Sequence, residues 1–175
     1  NTDSFGGSVR IQLTISEIEN LGLSLSLDKT KLSTNYFSSR QLTDFYNSEG
    51  SDFNTYSGSV SWSRFTLDRG VFPTKGSSNS ISLSLTLPGS NLNYGRFSHN
   101  LKVFRPLSRG FIFGFRSNIG ILFSYGDTET APPYQHFYAG GMRSVRGFKQ
   151  NYLGPKAVYQ TGFTPRYKRP VGGPY

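Results

Sequence analysis

The stretch FIFGFRSNIGILFSY, residues Phe111 to Tyr125, decides the fold. Its odd positions hold mainly aromatic and aliphatic side chains, while its even positions are mostly Gly, Arg, Asn and Ser, with Ile112 and Leu122 as exceptions. A period of two places these two sets on opposite faces of an extended strand. At about 3.3 Å per residue the stretch would reach roughly 50 Å, far beyond a strand of the usual length. The pattern predicts one very long strand with an apolar face and a small polar face.

The same alternation recurs along the rest of the chain. It is clear at residues 9–15, 21–27 and 81–87, where Val, Ile or Leu alternates with Ser, Thr, Gly or another polar residue. It is weaker at 56–65 and 94–105. With the stretch above, these runs predict an all-β chain, an antiparallel meander of about six strands.

The composition of the polar faces indicates what surrounds the sheet. Charged residues make up 17% of the 175 residues, against roughly 25% in a typical soluble domain. A water-facing sheet normally carries Lys, Glu and Arg, whereas these faces carry Ser, Thr, Gly and Asn. Long strands of this kind fit a wall with lipid outside and a wet lumen inside. The sequence therefore favours a transmembrane β-barrel, and a soluble β-sandwich, whose strands also alternate, stays the alternative.

The connections predict the sidedness of the wall, because outer-membrane barrels have short periplasmic turns and longer outer loops. We assign the segments 1–126 to strands with their connecting loops and 127–175 to one long outer loop. Residues 39–48 could form a short helix capped by Ser38 or Ser39, or a disordered loop. The periplasmic connections are predicted at 16–20, 67–76 and 106–110, and the outer ones at 33–54, 88–93 and from 127 onwards.

Catalytic and metal-binding patterns are missing from the sequence. There is no cysteine, and the two histidines, His99 and His136, have no companions at ligand spacing. No nucleophile elbow, phosphate loop or dinucleotide fingerprint occurs. We therefore expect a protein that is not an enzyme and that uses no cofactor and no metal.

The net charge of +9 is compatible with nucleic-acid binding, but the distribution of the charge is not. Most basic residues are scattered, and no recognition helix or stacking motif accompanies them. We expect no nucleic-acid partner. Two basic clusters in the long outer loop could instead touch lipopolysaccharide phosphates, or be solvated loop residues: Arg143, Arg146 and Lys149, and Arg166, Lys168 and Arg169.

One segment of the long outer loop carries a specific resemblance. Residues 137–148 read FYAGGMRSVRGF, and residues 154–159 continue as GPKAVY. Both closely resemble the sixth extracellular loop of the BamA-like family, whose Val-Arg-Gly-Phe/Tyr signature is shared across a superfamily of outer-membrane assembly and secretion barrels. We call residues 127–175 loop six. Its motif residues are Gly140, Gly141, Val145, Arg146, Gly147 and Phe148.

A second resemblance lies upstream, in residues 67–76, which read LDRGVFPTKG. This segment is similar to a periplasmic turn of the same family, and it falls where the connection lengths already predict a periplasmic turn. Pro and Gly are turn formers that stop one strand and start the next. The residues that carry this motif are Asp68, Arg69, Gly70, Pro73 and Gly76.

The resemblance implies a structural role for loop six. In the family the barrel has sixteen strands, and loop six folds into it so that the signature arginine meets acidic residues on the inner wall. By similarity Arg146 plays that part, with Val145 and Phe148 packed beside it. The acidic partners lie on later strands, so we expect this chain to be a segment of a longer protein. Gly140, Gly141 and Gly147 would allow positive φ or close backbone approach.

The resemblance also implies a function, which is the folding and insertion of outer-membrane proteins. Implied partners are unfolded outer-membrane proteins, accessory assembly lipoproteins, and the lipid and lipopolysaccharide of the bacterial outer membrane, where the barrel would reside. Within the superfamily a TamA-type barrel or a two-partner secretion barrel is the alternative. A passive porin or receptor barrel is an alternative from another class.

Overall fold

Six antiparallel strands lie side by side in the order in which they occur in the chain. A computed structural model describes residues 2–34, 38–142, 144–159 and 170–174. The predicted six-stranded meander is confirmed. Its strands are β1 (Thr2–Ser16), β2 (Glu19–Leu32), β3 (Asp52–Phe65), β4 (Gly76–Thr86), β5 (Tyr94–Ser108) and β6 (Phe111–Ser124).

The two faces of the sheet differ as the alternation predicts. One continuous cross-strand row consists only of apolar residues: Ile11, Leu23, Val60, Leu83, Phe97 and Ile121. No described element covers this apolar face, and Leu25 and Leu27 next to the row are 61% and 60% exposed. On the polar face, hydroxyl groups bond across strands, as between Ser24 Oγ and Ser59 Oγ at 2.6 Å. A bare apolar face and a hydroxyl-lined polar face are typical of a barrel wall.

The strand ends are staggered along the sheet. Gly95, at the second position of β5, lies in one cross-strand row with Leu85, Gly58 and Leu25. β2 nevertheless continues from Leu25 to Leu32 at the same end of the sheet. Such a stagger arises when strands tilt relative to the axis of a barrel, so the register itself indicates a curved, tilted wall.

Several strand boundaries differ from the sequence prediction, and β3 for example begins at Asp52, inside the predicted outer connection 33–54. β4 begins at Gly76, before the apolar alternation starts, because the Ser-rich residues 76–80 pair with 100–104 of β5. β5 runs through Pro106 to Ser108, so the expectation that a connection begins at Pro106 is wrong. β4 pairs with β5 only as far as Phe104. Beyond it β5 has a neighbour on one side only, where proline is tolerated.

The connection between β2 and β3 contains a helix, which is one of the two alternatives that the sequence left open for residues 39–48. α1 spans Arg40–Glu49, and the side chain of Ser39 caps it by accepting from Leu42 N. Phe45 on this helix packs with Leu32, Phe53 and Leu92 in a buried core at the long-loop end of the polar face. None of the described helices is long and apolar enough to cross a bilayer.

Candidate functional site

Loop six begins by folding onto the polar face of the sheet. The ring of Phe137 lies against Gly120 of β6, where a Cβ atom would come within 2.6 Å of Phe137 Cε1. The guanidinium of Arg96, on the polar face of β5, lies over the same ring at 4.5 Å from its centroid. Gly120 and Arg96 thus form the contact surface on the wall for Phe137, and we call this surface the seat of loop six.

The returning limb of loop six (residues 153–159 and 170–174) lies beside the outgoing limb (residues 127–139). Phe137 N donates to Gly173 O at 2.9 Å, and Gly173 N donates to Phe137 O at 3.0 Å. Leu122 N of β6 donates to Pro174 O at 2.6 Å. The described end of the chain therefore comes back to the free edge of β6, and both limbs are held near the polar face.

The motif lies in a hairpin between these limbs. Leu153 N donates to Ala139 O at 2.9 Å, and Gly141 N donates to Val145 O at 3.1 Å. Gly140 and Gly141 have φ of +109° and +99°, a region of backbone conformation that residues with a Cβ atom rarely adopt. A Cβ at Gly140 would also lie 2.6 Å from Lys149 O. The Gly-Gly pair thus lets the two sides of the hairpin touch.

Among the signature residues Val145 contributes to a cavity against the wall, although its side chain is still 38% exposed. With Ser144 it lines a cavity of about 690 Å³ whose other side includes Arg96 and Asn118 of the polar face. Gly147 has φ of +90°. The hairpin therefore places the start of the signature over the polar face of β5 and β6.

Arg146 and Phe148 do not line this cavity. Phe148 is 49% exposed, Arg146 is exposed, and Arg146 makes no ion pair with any residue in the described ranges. The expected role of Arg146 therefore stays a prediction. In the two basic clusters, Arg143, Arg166, Lys168 and Arg169 lie outside the described residues.

The turn motif of residues 67–76 is organised around one carboxylate. Asp68 Oδ2 accepts from Thr74 Oγ1 at 2.6 Å, and Asp68 Oδ1 accepts from Thr74 N at 3.0 Å and Lys75 N at 3.3 Å. Arg69 Nε also donates to it at 3.3 Å. These donors, the Thr74 hydroxyl foremost, hold the pKa of Asp68 well below its usual range. Asp68 thus closes the turn as an ionised acceptor.

The other turn residues contribute through the backbone. Gly76 has φ of +101°, and a Cβ there would collide with the carbonyl oxygen of Thr66. Phe72, just before Pro73, also has a positive φ of 50° although it carries a side chain. Gly70 has open space around it and no positive φ. The strict steric requirement in this turn is therefore at Gly76.

Both histidines have structural hydrogen bonds. His99 Nε2 lies 2.9 Å from Asn79 Oδ1 on the apolar face, and His136 Nδ1 lies 3.0 Å from Val171 O in loop six. Within the described ranges no three His, Asp or Glu side chains come together in a metal-binding arrangement.

Sequence reasoning did not single out the residues that seat loop six. Arg96 and Gly120 occupy polar positions of two alternating strands and look like ordinary lumen residues there. A weak signal existed for Arg96, because it is one of the few charges on a face otherwise rich in serine. Nothing local points to Gly120, whose importance depends on a residue of loop six.

The chain belongs to the Omp85 superfamily, whose domain matches residues 1–174. It is 30% identical over 169 residues to the outer membrane protein assembly factor BamA of Neisseria meningitidis serogroup B. That alignment covers 92% of this chain and 21% of the relative. The chain is also similar to the crystal structure of Haemophilus ducreyi BamA lacking POTRA domains 1–3, with a TM-score of 0.83 and 30% identity.

The structural match covers 90% of this chain and 32% of the solved chain. The chain therefore spans about a third or less of the length of these relatives. Family membership, together with the matching barrel-wall geometry, places the chain in the bacterial outer membrane.

Proposed function

We propose that this chain forms part of the wall, together with loop six, of a BamA-type barrel that folds and inserts other outer-membrane proteins. The observation that carries the proposal is the seating of the motif hairpin on the polar face, with Phe137 between Gly120 and Arg96. A loop that served only as an outer surface would not need a glycine on the wall to make room for it. The similarity to the Neisseria assembly factor supports the same function.

The proposed activity is templating rather than catalysis. Unfolded outer-membrane proteins bring unpaired strand edges that a barrel can receive by backbone pairing, without nucleotide or cofactor. Accessory assembly lipoproteins, outer-membrane lipid and lipopolysaccharide would be the partners of the whole protein. In this family the strands that open to substrate lie elsewhere, so the segment would contribute lipid-facing wall and the position of loop six.

In this proposal Arg146 secures loop six inside the complete barrel. A cation in an enclosed lumen needs a carboxylate, and removing one member of a buried pair costs roughly 3–5 kcal/mol. Arg146 has no such partner among the described residues. The partner would come from the strands that follow β6.

The test is Arg146→Ala in the full-length protein, with Arg146→Lys and Arg109→Ala beside it. Arg109 lies exposed in the turn between β5 and β6, so its substitution makes the same charge change away from loop six. The purified variants are reconstituted in liposomes and the folding rate of an added unfolded outer-membrane protein is measured. We expect a slow rate for Arg146→Ala, an intermediate one for Arg146→Lys and a normal one for Arg109→Ala. Normal folding by Arg146→Ala would contradict the role given to Arg146, and failure of the unmodified protein to fold the substrate would contradict the assembly function.

A secretion barrel of the same superfamily is the second candidate, because the Val-Arg-Gly-Phe signature of residues 145–148 is common to both groups. The two candidates differ in what a depletion strain loses. Loss of outer-membrane proteins in general supports the assembly function, whereas loss of one secreted partner with normal outer-membrane proteins supports secretion. Steady single-channel conductance without either loss would support a passive pore.

A further inference from the structure

Helix α1 is hydrogen-bonded to the returning limb of loop six. The Gln41 side chain acts in both directions: Nε2 donates to Lys156 O at 3.1 Å, and Oε1 accepts from Val158 N at 3.1 Å. Arg40 N donates to Val158 O at 2.6 Å. The amide of one side chain therefore satisfies two backbone groups that lie more than a hundred residues away in sequence.

The same helix also contacts the outgoing limb. Glu49 Oε1, at the last position of α1, accepts from Glu129 N at 3.2 Å. In the middle of the helix the ring of Phe45 meets the ring of Tyr134 edge-on, with centroids 6.4 Å apart. Contacts at the start, middle and end of α1 thus connect both limbs of loop six to one rigid element.

α1 is itself fixed to the wall. Phe45 is 2% exposed and packs on Leu32 at the end of β2 and Phe53 at the start of β3, with Leu92 completing the core. Burying a phenylalanine in this way stabilises the contact far more than a surface hydrogen bond does. Movement of loop six relative to α1 would therefore break the polar contacts at both limbs before the helix leaves the sheet.

We propose that α1 is a clasp that sets the position of loop six over the polar face, and that Gln41 is its main positioning residue. The proposal goes beyond the assembly function, because it concerns how the motif hairpin is held and does not depend on what the barrel acts on. The competing possibility is that α1 only covers the long-loop end of the lumen.

The test is amide hydrogen exchange on the full-length protein in detergent, comparing Gln41→Ala with Asn47→Ala. Asn47 is exposed on the same helix, so its substitution controls for the effect of replacing an α1 side chain with alanine. Loss of two hydrogen bonds of about 1 kcal/mol each should speed exchange by about tenfold or more. Faster exchange at Val158 alone would reflect only the loss of its own hydrogen bond to Gln41. The amides that report on the position of the hairpin are those of Gly141 and Leu153. We expect these two to exchange faster in Gln41→Ala and to be unchanged in Asn47→Ala.

A rescue experiment separates a clasp from general damage. Arg40→Cys with Val158→Cys places two thiols on the residues that the hydrogen bond from Arg40 N to Val158 O joins, and formation of the disulfide is verified before exchange is measured. Oxidation of this pair in the Gln41→Ala background should restore slow exchange at Gly141 and Leu153. The clasp is wrong if Gln41→Ala leaves both hairpin amides unchanged, or if the disulfide fails to restore them. Faster exchange of the hairpin amides in Gln41→Ala with unchanged substrate folding would leave the clasp standing and show that substrate folding does not depend on it. Failure of the unmodified protein to fold the substrate would contradict the proposed function alone.

Discussion

The guanidinium of Arg96 lies over the ring of Phe137, with its central carbon 4.5 Å from the ring centroid. This contact joins a strand of the wall to Phe137, the first residue of the segment 137–148 that carries the motif. Arg96 Nε is buried and finds no hydrogen-bond partner among the described residues. The aromatic face is therefore a principal contact of this cation, and the seating of loop six is in part a cation–π interaction.

The first prediction concerns the energy of that contact. A double-mutant cycle with Arg96→Gln and Phe137→Leu in the full-length protein should give a coupling free energy of about 0.5–2 kcal/mol. Denaturant unfolding in detergent measures it, with both singles and the double variant compared. Arg96→Lys should retain only part of the coupling, since an ammonium lacks the planar face that stacks on the ring. Additive single effects would mean that the two residues do not stabilise each other.

The second prediction concerns the room that Gly120 leaves for the ring. Gly120→Ala puts a methyl group where it would come within 2.6 Å of Phe137 Cε1, so the ring must leave its seat under Arg96. We expect a loss of about 1–3 kcal/mol, as for overpacking elsewhere. Gly58→Ala is the matched control, because its Cβ would meet Leu25 and Leu87 at an ordinary 3.7 Å. Equal melting temperatures of the two variants would refute this account.

The fold was predictable from local sequence because a two-residue period fixes which side chains share a face. Leu23 and Val60 lie on the apolar face as their runs predict, and each pairs with an apolar residue of the next strand. The strand ends were less predictable, since the Ser-rich residues 76–80 have no alternation of their own. Their pairing is set by the register of the apolar residues that follow.

The seat and the clasp of loop six were not predictable because they join residues that are distant in sequence. Gln41 bonds to residues that follow it by 115 and 117 positions. The amphipathic pattern indicates that Phe45 is on the buried side of α1, but not that Tyr134 will meet it. Resemblance to the family located the motif of residues 145–148, whereas the contacts that hold it depend on the tertiary structure.

The third prediction concerns the turn between β3 and β4. Gly76→Ala forces a side chain into a positive φ of 101° and against the carbonyl of Thr66. Such backbone strain costs of order 1–3 kcal/mol, and the collision adds to it. The heat-modifiable gel shift of the full-length protein should therefore occur at a lower temperature. Gly70→Ala, in the same turn but with open space around it, should migrate as the unmodified protein does. A shift of the same size in both variants would show that the turn is merely sensitive to added volume.

The last prediction concerns the pH dependence of this turn. The donors around Asp68 lower its pKa in the folded protein below the value of about 3.9 that an aspartate has in an unfolded chain. Because the pKa of Asp68 is lowered on folding, the ionised carboxylate contributes its full stabilisation of the turn above about pH 4. This stabilisation is lost as the pH falls from about 4 towards the lowered pKa of the folded protein. Exchange protection of the Thr74 and Lys75 amides, corrected for intrinsic rates, should be constant from about pH 7 to 5 and decline below about 4.

Substitution separates this group from other carboxylates of the chain. Asp68→Asn keeps an acceptor for the Thr74 and Lys75 amides but loses one carboxylate oxygen, so protection should be lower and should no longer decline with acid. Asp44→Asn removes a carboxylate that pairs with Arg40 on an exposed helix surface, and the acid response of the turn should persist there. If Asp68→Asn still loses protection below pH 4, the titrating group is another one, and the ionised carboxylate is not what closes the turn.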